Sequence, residues 1–198
     1  MILTGPEIES QVKARKIQIT PFDKKRVNPA SYDLTLGEQV AVYTEAVWTN
    51  DNRTSATLGD GSHFRSKDCL LDAKRKLTLS TFEMDPKQGW ILRPGILYLM
   101  HTAEIISTDD YVPIIDGKSS IGRLGIVVHL TAGFGDPHFS GQYTLEVTSI
   151  HPVRVYPGMK FCQIRFHKME GKVRLYAGNY TGKAARGPVA SRSWKQFG

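Results

Sequence analysis

Glu146 is the one carboxylate in a stretch, residues 142–149, where Gln142, Thr144, Glu146 and Thr148 alternate with Tyr143, Leu145 and Val147. In a strand that alternation puts the two sets on opposite faces. If the Glu146 face lines a pocket, partial desolvation raises its pKa toward the range useful for proton transfer. If the face is wet, Glu146 is an ordinary surface glutamate, the commoner case. Upstream, GKSSIGRLGI (117–126) holds two glycines, two hydroxyls and two fixed cations within seven residues. Such a turn can aim backbone N–H groups and hydroxyls at one anion. Lys118 and Arg123 add charge, and an arginine can grip a phosphate through two hydrogen bonds. The plainer reading makes Asp116-Gly117 a turn whose serines satisfy local backbone.

Between these stretches lies HLTAGFGDPHFSGQYTLEV (129–147), strand-like sequence broken by three glycines and a proline. Asp136 before Pro137 is a turn former, or a carboxylate held at a loop tip beside the same pocket. His129 and His138 bring no HxxxH, and no HxE with CxxC, so a structural role is the better reading. A Cys/His cage of the kind a zinc deaminase needs is missing, so no zinc is expected.

The elements that must hold these residues are short. The chain has 198 residues, enough for one domain with a proper core and short for two. Hydrophobic content of 40% with 23% charge is that of a soluble globular protein. A net charge of +7 favours an anionic partner: nucleotide, nucleic acid or a membrane surface. Cys69 and Cys162 stand far apart and form neither a disulfide framework nor a metal spacing, which fits a reducing cytoplasm. The N-terminus lacks a charged head before an apolar run, and no run reaches membrane-spanning length, so neither secretion nor a membrane is expected.

Thr4 with Glu7 three residues on has the form of a capping box, predicting a short helix that ends by Arg15 or Lys16. The rest reads as strands over 16–20, 32–36, 39–43, 77–80, 90–92, 97–103, 112–115, 125–131, 142–149, 153–156 and 160–168. Turn signals at 93–95, 116–117, 136–137 and 157–158 separate several of them. Many short strands with regular punctuation predict a mainly β fold, a barrel or double-sheet roll, as a single domain over 1–198. Residues 48–68 read as a polar surface excursion, and 178–198, rich in Gly, Lys, Arg and Ser, as a mobile tail.

Taken in order, GKSSIGRLG, HLTAGF-DP-FSG, TLE and PGMKFCQI resemble the dCTP deaminase family of the trimeric dUTPase superfamily. ILTGPEIES, PASYDLTLG and GPVASRS are similar to its opening and closing segments, so the resemblance spans nearly the whole chain. It implies a distorted β-barrel or jelly-roll-like homotrimer with sites between subunits. It also implies zinc-independent hydrolysis of dCTP to dUTP and ammonia in the cytoplasm (the host's, for a virus-encoded chain). Glu146 is then the general acid/base, while Ser119, Arg123 and the Ala132 carbonyl position water. Lys118, Ser120, Thr131, Gly133, Phe134 and Tyr176 bind nucleotide, and Lys183, Arg186 and Arg192 close over it from the tail as a lid. Mg²⁺ comes with the triphosphate, without direct protein ligands, and dTTP is an implied inhibitor.

Three positions depart from the family pattern. Gly135 replaces an aliphatic residue before the aspartate, His138 replaces a glycine after Asp-Pro, and Ala185-Arg186 stand where a glutamine precedes Gly-Pro. They leave the catalytic set intact but open the substrate to a modified cytosine, a monophosphate or dUTP. The alternative to plain deamination is a bifunctional enzyme that releases dUMP and pyrophosphate, Asp136 serving the second step. A nucleotide-binding regulator without turnover ranks below both. A nucleic-acid-binding module ranks lowest, since it leaves Glu146 and the TAGF loop without a purpose.

Overall fold

The computed structural model describes residues 1–44, 70–180 and 186–197 in full, and of 45–69 only the backbone of three two-residue strands. In chain order the elements are α1 (Gly5–Lys13), β1 (Ile17–Thr20), β2 (Tyr32–Thr35), β3 (Gln39–Tyr43), β4 (Val47–Trp48), β5 (Ala56–Thr57) and β6 (His63–Phe64). There follow β7 (Leu79–Glu83), β8 (Trp90–Leu92), β9 (Tyr98–His101), β10 (Ile105–Thr108), β11 (Tyr111–Gly117) and the single-turn helix α2 (Ser119–Gly122). The last are β12 (Ile126–Val127), β13 (Ser140–Gly141), β14 (Thr144–Ser149), β15 (Val153–Val155) and β16 (Lys160–Lys168).

The predicted mainly β class is the observed one, but the ladders do not close into one barrel. A five-stranded sheet runs β12-β14-β9-β3-β7, and three-stranded sheets run β11-β16-β2, β1-β10-β13 and β4-β6-β5, with β15-β8 as a pair. Period-2 burial along β11 and β14 shows why they form: alternate residues such as Ile115, Leu145 and Val147 are buried. Tyr32, Tyr98, Phe161 and Phe166 are the largest fully buried side chains in the core between the sheets. Burying such a side chain stabilises by about 1.5–3 kcal/mol.

Several local expectations shift. Thr4 makes no side-chain cap, because Pro6 removes an N–H that a cap would take; the Gly5 N–H goes instead to the Pro29 carbonyl, and Glu7 accepts from Gln11. Asp116 and Gly117 are no turn: they stay in β11, opposite Gln163 and Cys162. The strand expected over 125–131 shortens to β12, because the chain then leaves its sheet to run along β11. The strand β10, which the sequence reading passed over, pairs with β1 and β13. No described helix is long and apolar enough to cross a membrane. Most of 48–68 lies outside the described residues.

Candidate active site

Glu146 is placed by β14, whose Thr144 and Glu146 pair with His101 and Leu99 of β9. Its half-buried carboxylate lines a cavity of about 480 Å³. The pocket alternative therefore holds, but its expected consequence reverses: the pKa is lowered. His129 beside the carboxylate is the main cause, with burial opposing it, and the Leu130 and Thr131 backbone N–H groups support the charged form. His129 Nδ1 stands 3.8 Å from Glu146 Oε2, an ion-pair spacing too long for a hydrogen bond. Both His129 ring nitrogens are buried without a hydrogen-bond partner.

The loop 129–139 forms the cavity's other wall because it is strapped to β11. Gly133 accepts from the Ile115 N–H, Gly135 donates to the Pro113 carbonyl, and Phe134 bridges to Ile114. A Cβ on Gly133 would run into the Ile115 carbonyl oxygen, so the close approach requires glycine there. The strap turns Thr131, Ala132, Phe134 and Asp136 toward the cavity, and Tyr176 joins them from beyond β16. Gly133 itself is spent on the strap.

The described part of the tail lies across the same cavity. The Gly187 N–H donates to Gln142, the Val189 N–H to the Thr144 hydroxyl and the Ser191 N–H to the Tyr43 hydroxyl. Val189 and Ser191 line the cavity, whereas Arg192 stacks on Tyr180 and Arg186 is exposed. Lys183 lies outside the described residues.

The first motif is elsewhere. Lys118, Ser119, Ser120 and Arg123 do not line the cavity; Ser119 and Ser120 are exposed on α2, and Arg123 is exposed at its C-cap. Beneath α2, Gln163 donates to the Gly117 carbonyl, and buried Asp33 takes Lys118, Asn28 and Lys160. Burial alone would raise the Asp33 carboxyl, but those three donors outweigh it and hold it below the usual carboxylate range. His138 pairs with Asp109 on the surface, 3.0 Å away. Among the described residues no three His, Cys, Asp or Glu side chains gather as a metal cage.

A family model described as dCTP deaminase-like matches residues 2–169. The chain belongs to that family. It is 40% identical to the dUMP-forming dCTP deaminase of Leptospira biflexa serovar Patoc over 198 residues, covering 100% of this chain and 98% of that one. It is 42% identical to the dUMP-forming dCTP deaminase of Cytophaga hutchinsonii over 181 residues, covering 91% and 90% of the two chains. The crystal structure of the 2'-deoxycytidine 5'-triphosphate deaminase from Agrobacterium tumefaciens shares the fold, with a TM-score of 0.57 and 24% identity. That match covers 85% of this chain and 48% of the other, so the present chain spans about half its length.

Four residues around the cavity were missed as site residues in the sequence. Tyr43, Gln142 and Thr144 anchor the tail, and His129 lowers the Glu146 pKa. Only Gln142 and Thr144 carried a signal, since they share the strand face of Glu146.

Proposed function

We propose that the chain hydrolyses dCTP twice, to dUMP, ammonia and pyrophosphate, so the dUMP-forming alternative displaces release of dUTP as the leading reading. The observation that carries it is two carboxylates, Glu146 and Asp136, on one cavity. Deamination alone leaves Asp136 unused, and the relatives' names point the same way.

In the first step water adds to C4 of the cytosine while Glu146 takes its proton. The protonated carboxyl then returns a proton toward the leaving amine, ammonia departs, and dUTP remains. A carboxylate that is already ionised suits the first half of this exchange, which the low Glu146 pKa supports. The Ala132 carbonyl and the Ser119 hydroxyl hold the water, and Arg123 steadies the charge around it. In the second step Asp136 takes a proton from another water. That water attacks the α-phosphorus, and the bond to the bridging oxygen breaks to release pyrophosphate. A Mg²⁺ ion carried on the triphosphate would neutralise phosphates that Glu146 and Asp136 would otherwise repel.

Lys118, Ser119, Ser120 and Arg123 serve the cavity of a neighbouring copy, in a homotrimer with sites between subunits. Their exposure on α2, away from this chain's own cavity, supports that division. The tail closes over the nucleotide, and dTTP competes for the same cavity as an inhibitor. A cytoplasmic location suits this chemistry.

The test is a product assay with dCTP and Mg²⁺ that resolves dUTP, dUMP and pyrophosphate. Formation of dUMP and pyrophosphate without accumulation of dUTP is expected. Accumulating dUTP would restore the monofunctional reading, and no product at all would remove dCTP as the substrate.

A further inference from the structure

Gly135 and Tyr143 share one space. A Cβ at position 135 would stand 2.7 Å from the Tyr143 hydroxyl, 2.9 Å from Pro113 Cγ and 3.1 Å from the Pro113 carbonyl oxygen. The phenol therefore occupies the place of a residue-135 side chain, where the family resemblance leads one to expect an aliphatic group. An apolar wall has been exchanged for one ending in a hydroxyl, delivered from the approach to β14.

That phenol is firmly held. The Tyr143 N–H donates to the Thr102 hydroxyl, its carbonyl accepts from the Thr102 N–H, both at 3.0 Å, and its ring packs on Phe139 at 4.8 Å between centroids. The hydroxyl itself makes no hydrogen bond to a described residue. Nor does the carboxylate of Asp136, the residue next to Gly135, and both side chains line the cavity. Burial, with the Asp136 charge adding to it, pushes the phenol pKa up, so the group keeps its proton throughout the working range. A phenol that stays a hydrogen-bond donor and a carboxylate whose charge it feels thus line one cavity.

We propose that Tyr143 is a positioning residue for Asp136: with a nucleotide in the cavity its hydroxyl donates to the Asp136 carboxylate, serving pyrophosphate release and not deamination. This rests on the dUMP-forming reading given above. A loop-tip carboxylate without a partner spends its time in several rotamers, and a donor on a fixed backbone selects one of them. Tyr143 gives up no proton in the step. The water's proton goes to the other oxygen of Asp136, and the leaving group is still pyrophosphate. Gly135 is needed because any side chain there displaces the hydroxyl.

The experiment assays the full chain with dCTP and, separately, with dUTP, for wild type, Tyr143→Phe and Gly135→Ala. Tyr143→Phe is expected to slow dUTP hydrolysis about tenfold relative to deamination, the scale of one charged hydrogen bond, so that dUTP accumulates from dCTP. Its KM for dUTP should stay at the wild-type value while kcat falls, since the phenol acts on Asp136 and not on the nucleotide. Gly135→Ala should produce the same partition by pushing the hydroxyl aside. Equal loss in both steps, an unchanged partition, or a loss carried by KM alone would reduce Tyr143 to a packing residue while leaving the dUMP-forming reading in place. A wild type that turns over neither nucleotide would overturn that reading, and this proposal with it.

Discussion

His129 faces Glu146 at 3.8 Å, with both of its ring nitrogens buried and without a hydrogen-bond partner. Under the proposed mechanism, with Glu146 as the base, the pair sets the pH range of deamination. His129, with two backbone N–H groups assisting, holds Glu146 below the usual carboxylate pKa of about 4.3. The ionised base is therefore present well into acid, and the acid limb of kcat/KM should lie below that value. In His129→Asn the main stabilising neighbour is gone, so the limb should move up in pH. Rate–pH profiles of the two proteins check this, and an unmoved limb would take Glu146 out of the role of base.

The two carboxylates should separate the two hydrolyses. Glu146→Gln is expected to lower dCTP turnover by about 10²–10⁴-fold, the scale of a lost general acid/base, while dUTP hydrolysis persists. Asp136→Asn should do the reverse, leaving a deaminase that stops at dUTP. Quantifying the three products for both variants decides the matter. Loss of both steps in either one would mean that the carboxylates act as a single unit.

Exposure of Arg123 on α2, apart from the cavity of Glu146, predicts complementation between inactive chains. Arg123→Ala and Glu146→Gln should each be inactive alone. Coexpressed at equal levels and randomly assembled, they should recover about a quarter of the wild-type sites if each site takes α2 from one copy and β14 from another. No recovery in a verified mixed oligomer would mean that α2 serves its own chain.

His101 predicts how stability responds to pH. Its Nδ1–H donates to the Thr102 carbonyl, its Nε2 accepts from the Gln39 N–H, and the ring fills the space where Gly37 lacks a side chain. Burial is the main reason its pKa is lowered, so the folded state favours the neutral ring. The unfolded chain binds the proton first, near pH 6.5. This contribution is thus complete above about 6.5 and is lost as pH falls toward the lower folded value. Denaturant melts between pH 8 and 5 should show the decline (pH values about those of the reference histidine), with a smaller slope in His101→Gln. Gly37→Ala should cost about 3 kcal/mol, because its Cβ would overlap the ring.

How far these features were legible in the sequence depended on the range of the forces involved. Strands such as Gln39–Tyr43, Trp90–Leu92 and Lys160–Lys168 carry their pattern locally, and their bounds matched. Glu146 could be assigned to a strand face, since period 2 is a local property, but the sign of its pKa shift depends on His129, 17 positions away. The short helix at Ser119–Gly122 has no apolar period of its own to read. Gly135 stood out only as a departure from the family pattern, because the phenol that takes the side chain's place comes from eight residues further on. The tail read as mobile because its partners, Gln142, Thr144 and Tyr43, become neighbours only on folding.

The buried Arg26–Glu104 pair anchors the β2 end of the fold, and a near-isosteric change there should cost substantial stability. Glu104 is fully buried; its carboxylate takes the Arg26 guanidinium, the Thr35 N–H and the Thr35 hydroxyl. Arg26 also donates to the Pro21 carbonyl and lies over the Tyr32 ring, 5.2 Å from its centroid. Glu104→Gln keeps the shape but leaves the guanidinium largely buried and without its countercharge, which costs about 3–5 kcal/mol. Replacing both residues by apolar ones of similar size should cost less than the single change, because no charge is then stranded. Thermal or urea melts of the single and double variants test this. A single variant within about 1 kcal/mol of wild type would show that water reaches Arg26.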